Sequence, residues 1–436
     1  MQEVLPTSNL IPTPATVQQD SGAAIISKIT LRLVPFLFVL YIIAYLDRIN
    51  VGFAKLEMLQ QLGLSEAVYG FGAGIFFAGY FFFQLPSNLV LARVGARRWV
   101  TLLMVVWGAI SCSMIFVKTA HEFYFLRFLL GAAEAGFFPG VILYLKSWFP
   151  TTARARTIAW FMAAGPLSGV VGGPISGAIL QWHISGYLKA WQWLFLMEGL
   201  PAIFLGLVVF FVLADSPQHA RWLGEKERNW LLALLEDERR SMIVQKSTVG
   251  AAFARPIIWL MVVMYFGVNT CAYGVSLWLP SFIRNLSGMS DFKLGLLSAV
   301  PYIATAIAMV LIGFHSDRTG ERRWHIALSA FCGMGGLLLS AFSHSLVPTI
   351  IGLSLGLMAV FSMCGPIWAL NTGLSGTAAA AGIAIVNSVG NLGGFFGPSI
   401  IGFVQHKTAL IIIGLLIGLG GCMALLVTGQ EQTKST

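Results

Sequence analysis

Charged side chains are scarce in this sequence: Asp, Glu, Lys and Arg make up 10% of its 436 residues, against 57% hydrophobic. A soluble domain carries about 25% charged and roughly 45–50% apolar residues, so a chain of this composition cannot cover a water-facing surface. Cysteine is sparse as well. Cys112, Cys271, Cys332, Cys364 and Cys422 lie within apolar stretches, where a thiol packs as a small hydrophobe. Their spacing offers neither a disulfide framework nor a metal site. The seven histidines fall in loops or near the ends of apolar runs, which argues against a histidine proton relay. No cofactor loop, no nucleophile with a recognisable base and no cluster of His and acids appears. An enzyme is therefore not expected, and neither is a cofactor or a metal. The net charge of +9 comes from basic residues scattered between apolar runs, not gathered into a stripe, which excludes a nucleic-acid binder.

What the chain has in abundance is apolar runs long enough to cross a bilayer, about 20 residues each. Twelve are read, at 31–54, 67–92, 99–117, 123–147, 155–183, 190–213, 256–284, 292–315, 324–343, 346–370, 377–405 and 408–428. Alternating strand patterns are absent, and a lipid-exposed backbone must satisfy its own hydrogen bonds, so each run is expected to be a helix. The fold class is thus an all-α membrane protein with 12 transmembrane helices. One hydrophilic segment, 215–255, divides it into an N-terminal six-helix bundle (28–214) and a C-terminal one (256–428). Within that segment the spacing of Trp222, Trp230, Leu231 and Leu234 predicts a surface helix between Gln218 and Arg240. Residues 1–27, polar and without a basic n-region or a cleavage site, are expected to be a disordered cytoplasmic tail, and 429–436 a second tail.

Lys and Arg set the orientation. With the N-terminus inside, nineteen of the 27 fall on the cytoplasmic side, six on the other and two, Arg48 and Arg127, within spans. Both termini are therefore expected in the cytoplasm. The halves echo each other: a basic turn at Leu91–Arg98 follows the second span, and another at Gly313–Arg323 follows the eighth. Repeated halves are the pattern of transporters with a central site between two bundles, and such a unit needs no partner to form a path, so a monomer is expected.

The ionisable residues inside the spans carry the functional reading, because each costs about 2.5–3.5 kcal/mol to insert. Asp47 and Arg48 sit late in the first span, Arg127 and Glu134 in the fourth. Seven residues make about two helical turns, so Arg127 and Glu134 share a face. The four together are neutral when both acids are ionised, and protonating one acid changes that charge. The competing reading makes them interhelical clamps with snorkelling side chains. Glu134 resists it, since Gly131, Ala132, Ala133, Ala135 and Gly136 leave room beside the carboxylate. Glu198, at the start of the sixth span, reads as a helix-end contact. The second half offers Asn269, Tyr273, Trp368, Ser375, Asn387, Ser388 and Asn391, neutral groups suited to a hydroxyl- or carboxyl-bearing ligand or to hydrogen bonds between helices. Asn387 and Asn391, one turn apart among glycines, are the stronger candidates, and Tyr45 and Tyr80 add hydroxyls to apolar faces.

The runs Tyr45-Leu46-Asp47-Arg48-Ile49-Asn50-Val51-Gly52 and Arg127 through Gly140, with Leu85-Pro86-Ser87-Asn88, Trp148-Phe149-Pro150, Ser316-Asp317-Arg318 and Asn387-Ser388-Val389-Gly390-Asn391-Leu392-Gly393-Gly394, resemble the anion:cation symporter family of the major facilitator superfamily. The resemblance covers essentially the whole membrane portion. It implies a bacterial inner-membrane protein that takes up an organic anion with protons by alternating access, the anion being a sugar acid, tartrate, a phthalate or hydroxyphenylacetate. It implies that Arg48 holds the substrate carboxylate, Asp47 and Glu134 take up protons, and Arg127 pairs with an acid in one protonation state. Tyr45, Tyr80 and Asn391 would complete the substrate site, while Asp317 and Arg318 belong to a gating turn. The first-half turn lacks the acidic residue of the general superfamily motif. A membrane anion sensor, an exchanger and a uniporter are the alternatives to symport.

Overall fold

The computed structural model describes residues 14–182, 186–241, 249–370, 372, 374 and 376–427; Ser375 and the expected tail 429–436 lie outside them. In chain order the helices are α1 (Pro14–Leu62), α2 (Glu66–Val94), α3 (Ala96–Ser113), α4 (Ala120–Glu134), α5 (Phe137–Trp148), α6 (Thr151–Met162), α7 (Ala164–Gln181), α8 (Ala190–Val212), α9 (Glu225–Ser241), α10 (Val249–Phe253), α11 (Pro256–Leu286), α12 (Asp291–Thr319), α13 (Arg323–Phe342), α14 (Leu346–Trp368), α15 (Gly376–Asn391), α16 (Gly393–Phe403) and α17 (His406–Leu426). Among the described residues, eleven helical stretches are long and apolar enough to cross a membrane, with α4–α5 and α6–α7 each counted as one. The remaining expected span, 377–405, is built as α15 and α16, which meet at Leu392.

Short helical interruptions at Ala135–Gly136, Ala163 and Leu392 break three of the spans. They occur where small residues let helices come close. Gly136 lies against Ser87 and Gly393 against the backbone of α11 at Phe266, each too close for a Cβ.

The basic turns after α2 and α12 lie on one face of the bundle, with α9 and α10, and the α1–α2 and α11–α12 connections lie on the other. The extensive pairings between the halves are α7 with α12, α2 with α16 and α1 with α11. All of them fall toward the face opposite the basic turns. Gly173 of α7 and Gly295 of α12 face each other so closely that a Cβ on either would strike the other's carbonyl oxygen. The Tyr69 hydroxyl of α2 donates to the Leu277 carbonyl of α11 at 2.9 Å. At the same end, Lys55 Nζ is 3.2 Å from Glu66 Oε1 and 3.3 Å above the Trp278 ring. The other oxygen of Glu66 is 3.2 Å from His406 Nε2 of α17. The halves are thus latched at the opposite face.

Around the basic face, the surface helix is α9, seven residues shorter at its start than the expected stretch because Pro217–His219 forms a 3-10 turn. Its predicted apolar stripe is real: Leu231 is buried, and Trp222, just ahead of the helix, stacks on Trp148 at 5.7 Å. The expectation of a disordered tail over 1–27 meets a correction, since α1 already begins at Pro14. Proline is favourable in a first helical turn. Beyond it, Gly22 packs on the Trp230 ring, Ile29 is buried, and Lys28 Nζ pairs with Glu227 Oε2 at 2.7 Å. That hydrogen bond, with one from the Gly224 N–H, holds the Glu227 carboxyl below the usual range. The pair is therefore present at neutral pH and lost as pH falls through that lowered value. Residues 1–13 lie outside the described residues.

The two basic turns are built differently. After α12, Gly320 (φ 70°) ends the helix in the left-handed region, and Asp317 Oδ1 takes Arg322 Nη1 at 2.6 Å. After α2, Gly95 (φ 92°) makes the corresponding turn. There the acid missing from the local sequence comes from further along the chain: Asp215 Oδ1, beyond α8, accepts the Arg97 N–H at 2.8 Å.

Candidate functional site

A cavity of about 120 Å³ lies between the halves. Its wall takes Tyr41, Tyr45 and Arg48 from α1, Phe77 and Tyr80 from α2, Tyr265 and Tyr273 from α11, and Asn387 and Asn391 from α15. On α1, α11 and α15–α16, which run toward the opposite face, these residues precede the points where the halves touch. The cavity therefore sits on the basic-turn side of the closure.

Among the described residues of that wall Arg48 alone is formally charged, and its guanidinium is shared. Nη2 and Nε donate to Glu134 Oε2 of α4 at 2.8 and 3.3 Å, and Nη1 donates to the Tyr273 hydroxyl of α11 at 3.0 Å. Its Cζ lies 5.2 and 5.4 Å from the Phe76 and Tyr80 ring centroids, within cation–π range. One charged group thus links an acid of the first half to a hydroxyl of the second. Glu134 is 1% exposed, and Oε1 has no partner among the described residues.

The other three charges sit behind the wall. Asp47 is buried; its Oδ1 accepts from Ser111 Oγ of α3 at 2.7 Å and from Asn50 Nδ2 at 3.5 Å, and Oδ2 has no hydrogen-bond partner among the described residues. Arg127 is on the same helix as Glu134, as expected, but has a different neighbourhood. Its Nη2 reaches the Ala73 carbonyl at 3.4 Å, Cζ stands 4.9 Å over the Phe76 ring, and Nε and Nη1 have no hydrogen-bond partner among the described residues. Both guanidinium groups thus lie within cation–π range of the Phe76 ring. The expected Arg127–acid pair is not formed in this conformation.

The sequence-chosen substrate residues Arg48, Tyr45, Tyr80, Asn387 and Asn391 are brought together on one cavity, with Asp47, Glu134 and Arg127 just behind. Asp317 and Arg318 stand apart from it at the basic face. Asn269 turns its amide onto the Tyr265 carbonyl of its own helix at 2.9 Å, an interior contact. Tyr41 and Tyr265 were not singled out from sequence. The signal was there, since Tyr41–Tyr45 and Tyr265–Asn269–Tyr273 repeat at helical spacing on one face. Glu198 also departs from the helix-end reading: nine residues into α8 it is 5% exposed, and its Oε1 accepts from Ser176 Oγ at 2.7 Å.

Residues 37–398 match the Major Facilitator Superfamily. The chain is 48% identical over 400 residues to a protein of Agrobacterium vitis named "Putative tartrate transporter", covering 92% of this chain and 89% of that one. It is 44% identical over 423 residues to "Putative metabolite transport protein NicT" of Pseudomonas putida, covering 95% and 96%. Among solved structures, the inward-facing, unoccupied form of a bacterial homologue of the human lysosomal transporter Spinster superposes with a TM-score of 0.74. It does so over 91% of this chain and 96% of that one, at 15% identity; that likeness concerns the fold.

Proposed function

The chain belongs to the Major Facilitator Superfamily and is a multi-pass membrane transporter rather than an enzyme, and we propose that it takes up a small organic carboxylate together with protons. The observation that carries this reading is the shared guanidinium of Arg48, bound on one edge to Glu134 and facing the cavity with the other. A substrate carboxylate entering the cavity competes with Glu134 for Arg48, since a guanidinium binds carboxylates through paired N–H groups. Glu134, left without its cation in a dry interior, is then best satisfied by a proton. Anion and proton bind together because each favours the state the other needs.

The cavity has room for on the order of ten water-sized groups at about 10–15 Å³ each, which fits an anion the size of a four-carbon hydroxy-diacid. Its tyrosine hydroxyls and the Asn387 and Asn391 amides suit the hydroxyl and second carboxyl groups of such an acid. The relative named as a tartrate transporter supports the same class. Membership of the anion:cation symporters follows from this reading. Asp47 is the second proton acceptor, Arg127 a cation available to an acid in another conformation, and the Asp317–Arg318 segment a gate element on the basic face. The positive-inside rule places that face, both termini and 215–255 in the cytoplasm of a bacterial inner membrane. The conformation is then open inward and latched outward, and one chain suffices as a monomer.

Uptake into proteoliposomes tests the proposal, with sugar acids, tartrate, phthalates and hydroxyaromatic acids offered with and without an inward proton gradient. One class is expected to accumulate only with the gradient, and to fail in Arg48→Ala and Glu134→Gln. Gradient-independent equilibration or exchange would instead make the protein a uniporter or exchanger, and specific binding without uptake a sensor.

A further inference from the structure

We propose that a slot on the basic face, walled by α1, α6 and α9, binds an anionic phospholipid, with Arg156 on its phosphate and Leu31 and Trp160 along its acyl chains. The inference does not depend on the proton-coupled reading of the central site.

The slot is a second cavity, of about 620 Å³, and it shares no lining residue with the anion cavity. Its size falls within the roughly 300–1,000 Å³ of small-ligand sites. Helix length sets its depth in the membrane. The stretch Gly22–Leu62 of α1 is 41 residues, about 62 Å at 1.5 Å per residue, twice the ~30 Å hydrocarbon core of a bilayer. The apolar run begins only at Leu31, so the turns from Gly22 to Thr30 stand up to about 14 Å beyond that core. There the Trp230 ring of α9 packs on Gly22 and closes the outer end of the slot. At the inner end Leu31 is 73% exposed and Trp160 of α6 57%. On membrane-spanning helices such side chains meet lipid, and tryptophan favours the depth of the headgroups. The slot therefore starts beyond the membrane surface and ends against the acyl chains.

Its charge selects the headgroup. Arg156, one turn ahead of Trp160 on α6, is the formally charged residue on the described wall, and no carboxylate pairs with it among the described residues. The acids around it are engaged elsewhere: Glu238 of α9 takes the Thr151 N–H at 2.9 Å and lies 3.5 Å from Arg154 Nη2, and Glu227 holds Lys28 at 2.7 Å. Thr30 and Thr157 spend their hydroxyl protons on the Ile26 and Ala153 carbonyls of their own helices, which leaves Ser27 and Thr152 as the hydroxyl donors of the wall. A guanidinium with hydroxyl donors beside it suits a phosphate. A zwitterionic headgroup would bring its own ammonium toward Arg156, and a soluble anion would leave the apolar inner end unfilled. A net-anionic phospholipid satisfies both ends, as basic pockets between membrane helices do elsewhere.

Native mass spectrometry of the full-length protein released from detergent micelles, with phosphatidylglycerol and phosphatidylcholine added in equal amounts, tests this. One basic residue at the membrane surface is worth about 1 kcal/mol toward an anionic lipid, so the wild type should retain phosphatidylglycerol about fivefold better than phosphatidylcholine. Arg156→Gln, at an exposed position, should abolish that preference. Arg93→Gln, which removes an exposed cation of the same face outside the slot, should leave it unchanged. Equal retention of the two lipids by the wild type, or the same loss in both variants, overturns the proposal. Displacement of phosphatidylglycerol by millimolar inorganic phosphate overturns it as well, since the site would then take a soluble anion. Lipid retention is read without transport, so a failure of proton-driven uptake would strike the central-site reading and leave this result standing.

Discussion

The two halves share a fold but not a chemistry. Asp47, Arg48, Lys55, Arg127, Glu134 and Glu198, the buried residues of formal charge among those described, all belong to the first half. The second half buries neutral groups such as Asn269, Thr270, Ser276, Thr305 and Ser362. Charge inside a membrane protein is expensive and marks function, so the difference divides the work. In the proposed symport the first half would supply the cation for the anion and the acids for protons, and the second shape, aromatic surface and neutral hydrogen bonds. Arg48 spans the divide, with Glu134 on one side and Tyr273 on the other.

The sharpest way to break this comparison is to remove the shared cation. Arg48→Ala should lower carboxylate uptake about 30-fold or more, since truncating one partner of a buried, hydrogen-bonded charge pair costs about 2–5 kcal/mol. Arg48→Lys should not restore it, because one ammonium cannot reproduce the planar fork; initial uptake rates decide both. Next, Glu134→Gln should abolish gradient-driven accumulation while leaving counterflow above about a tenth of wild type, because a neutral isostere frees Arg48 but carries no proton. Loss of counterflow in equal measure would make Glu134 a structural clamp.

In the neutral half the effects should be smaller and of a different kind. Asn391→Ala is expected to raise the half-saturating concentration about fivefold with little change in maximal rate, about 1 kcal/mol for one hydrogen bond. A collapse of the maximal rate would show that the second half shares in the chemistry. Smallest of all is the latch: Glu66→Gln should shift the balance between closed and open opposite faces about two- to fivefold, as suits a partly exposed ion pair worth about 0.2–1 kcal/mol. Spin labels at Leu62→Cys and Leu286→Cys, at the ends of α1 and α11 in a cysteine-free background, would report it as a changed distance distribution.

Sequence made the spans and the charged centre legible because both rest on strong signals: unbroken apolar length for the first, and the rarity of Asp47, Arg48, Arg127 and Glu134 within it for the second. What escaped depended on distance in the chain becoming proximity in space. The breaks at Gly136 and Leu392 lie where neighbouring helices press against Gly136 and Gly393, which a hydropathy run does not register. Asp215 completes a turn some 118 residues from Arg97, so that turn read as lacking an acid. Glu198 looked peripheral because it is early in its span, yet its place in α8 sets it against α1 and α7, among Asn50 and Ser176.

The central claim is that the substrate carboxylate replaces Glu134 on Arg48 and leaves Glu134 to take up a proton. Its most direct test is the number of protons bound per anion bound, measured with a pH indicator in weakly buffered, purified protein as the tightest-binding acid of the panel is added. The account predicts uptake of about one proton per anion in the wild type and none in Glu134→Gln, with the anion still bound. Binding without proton uptake in the wild type, or equal uptake in the two proteins, would contradict it.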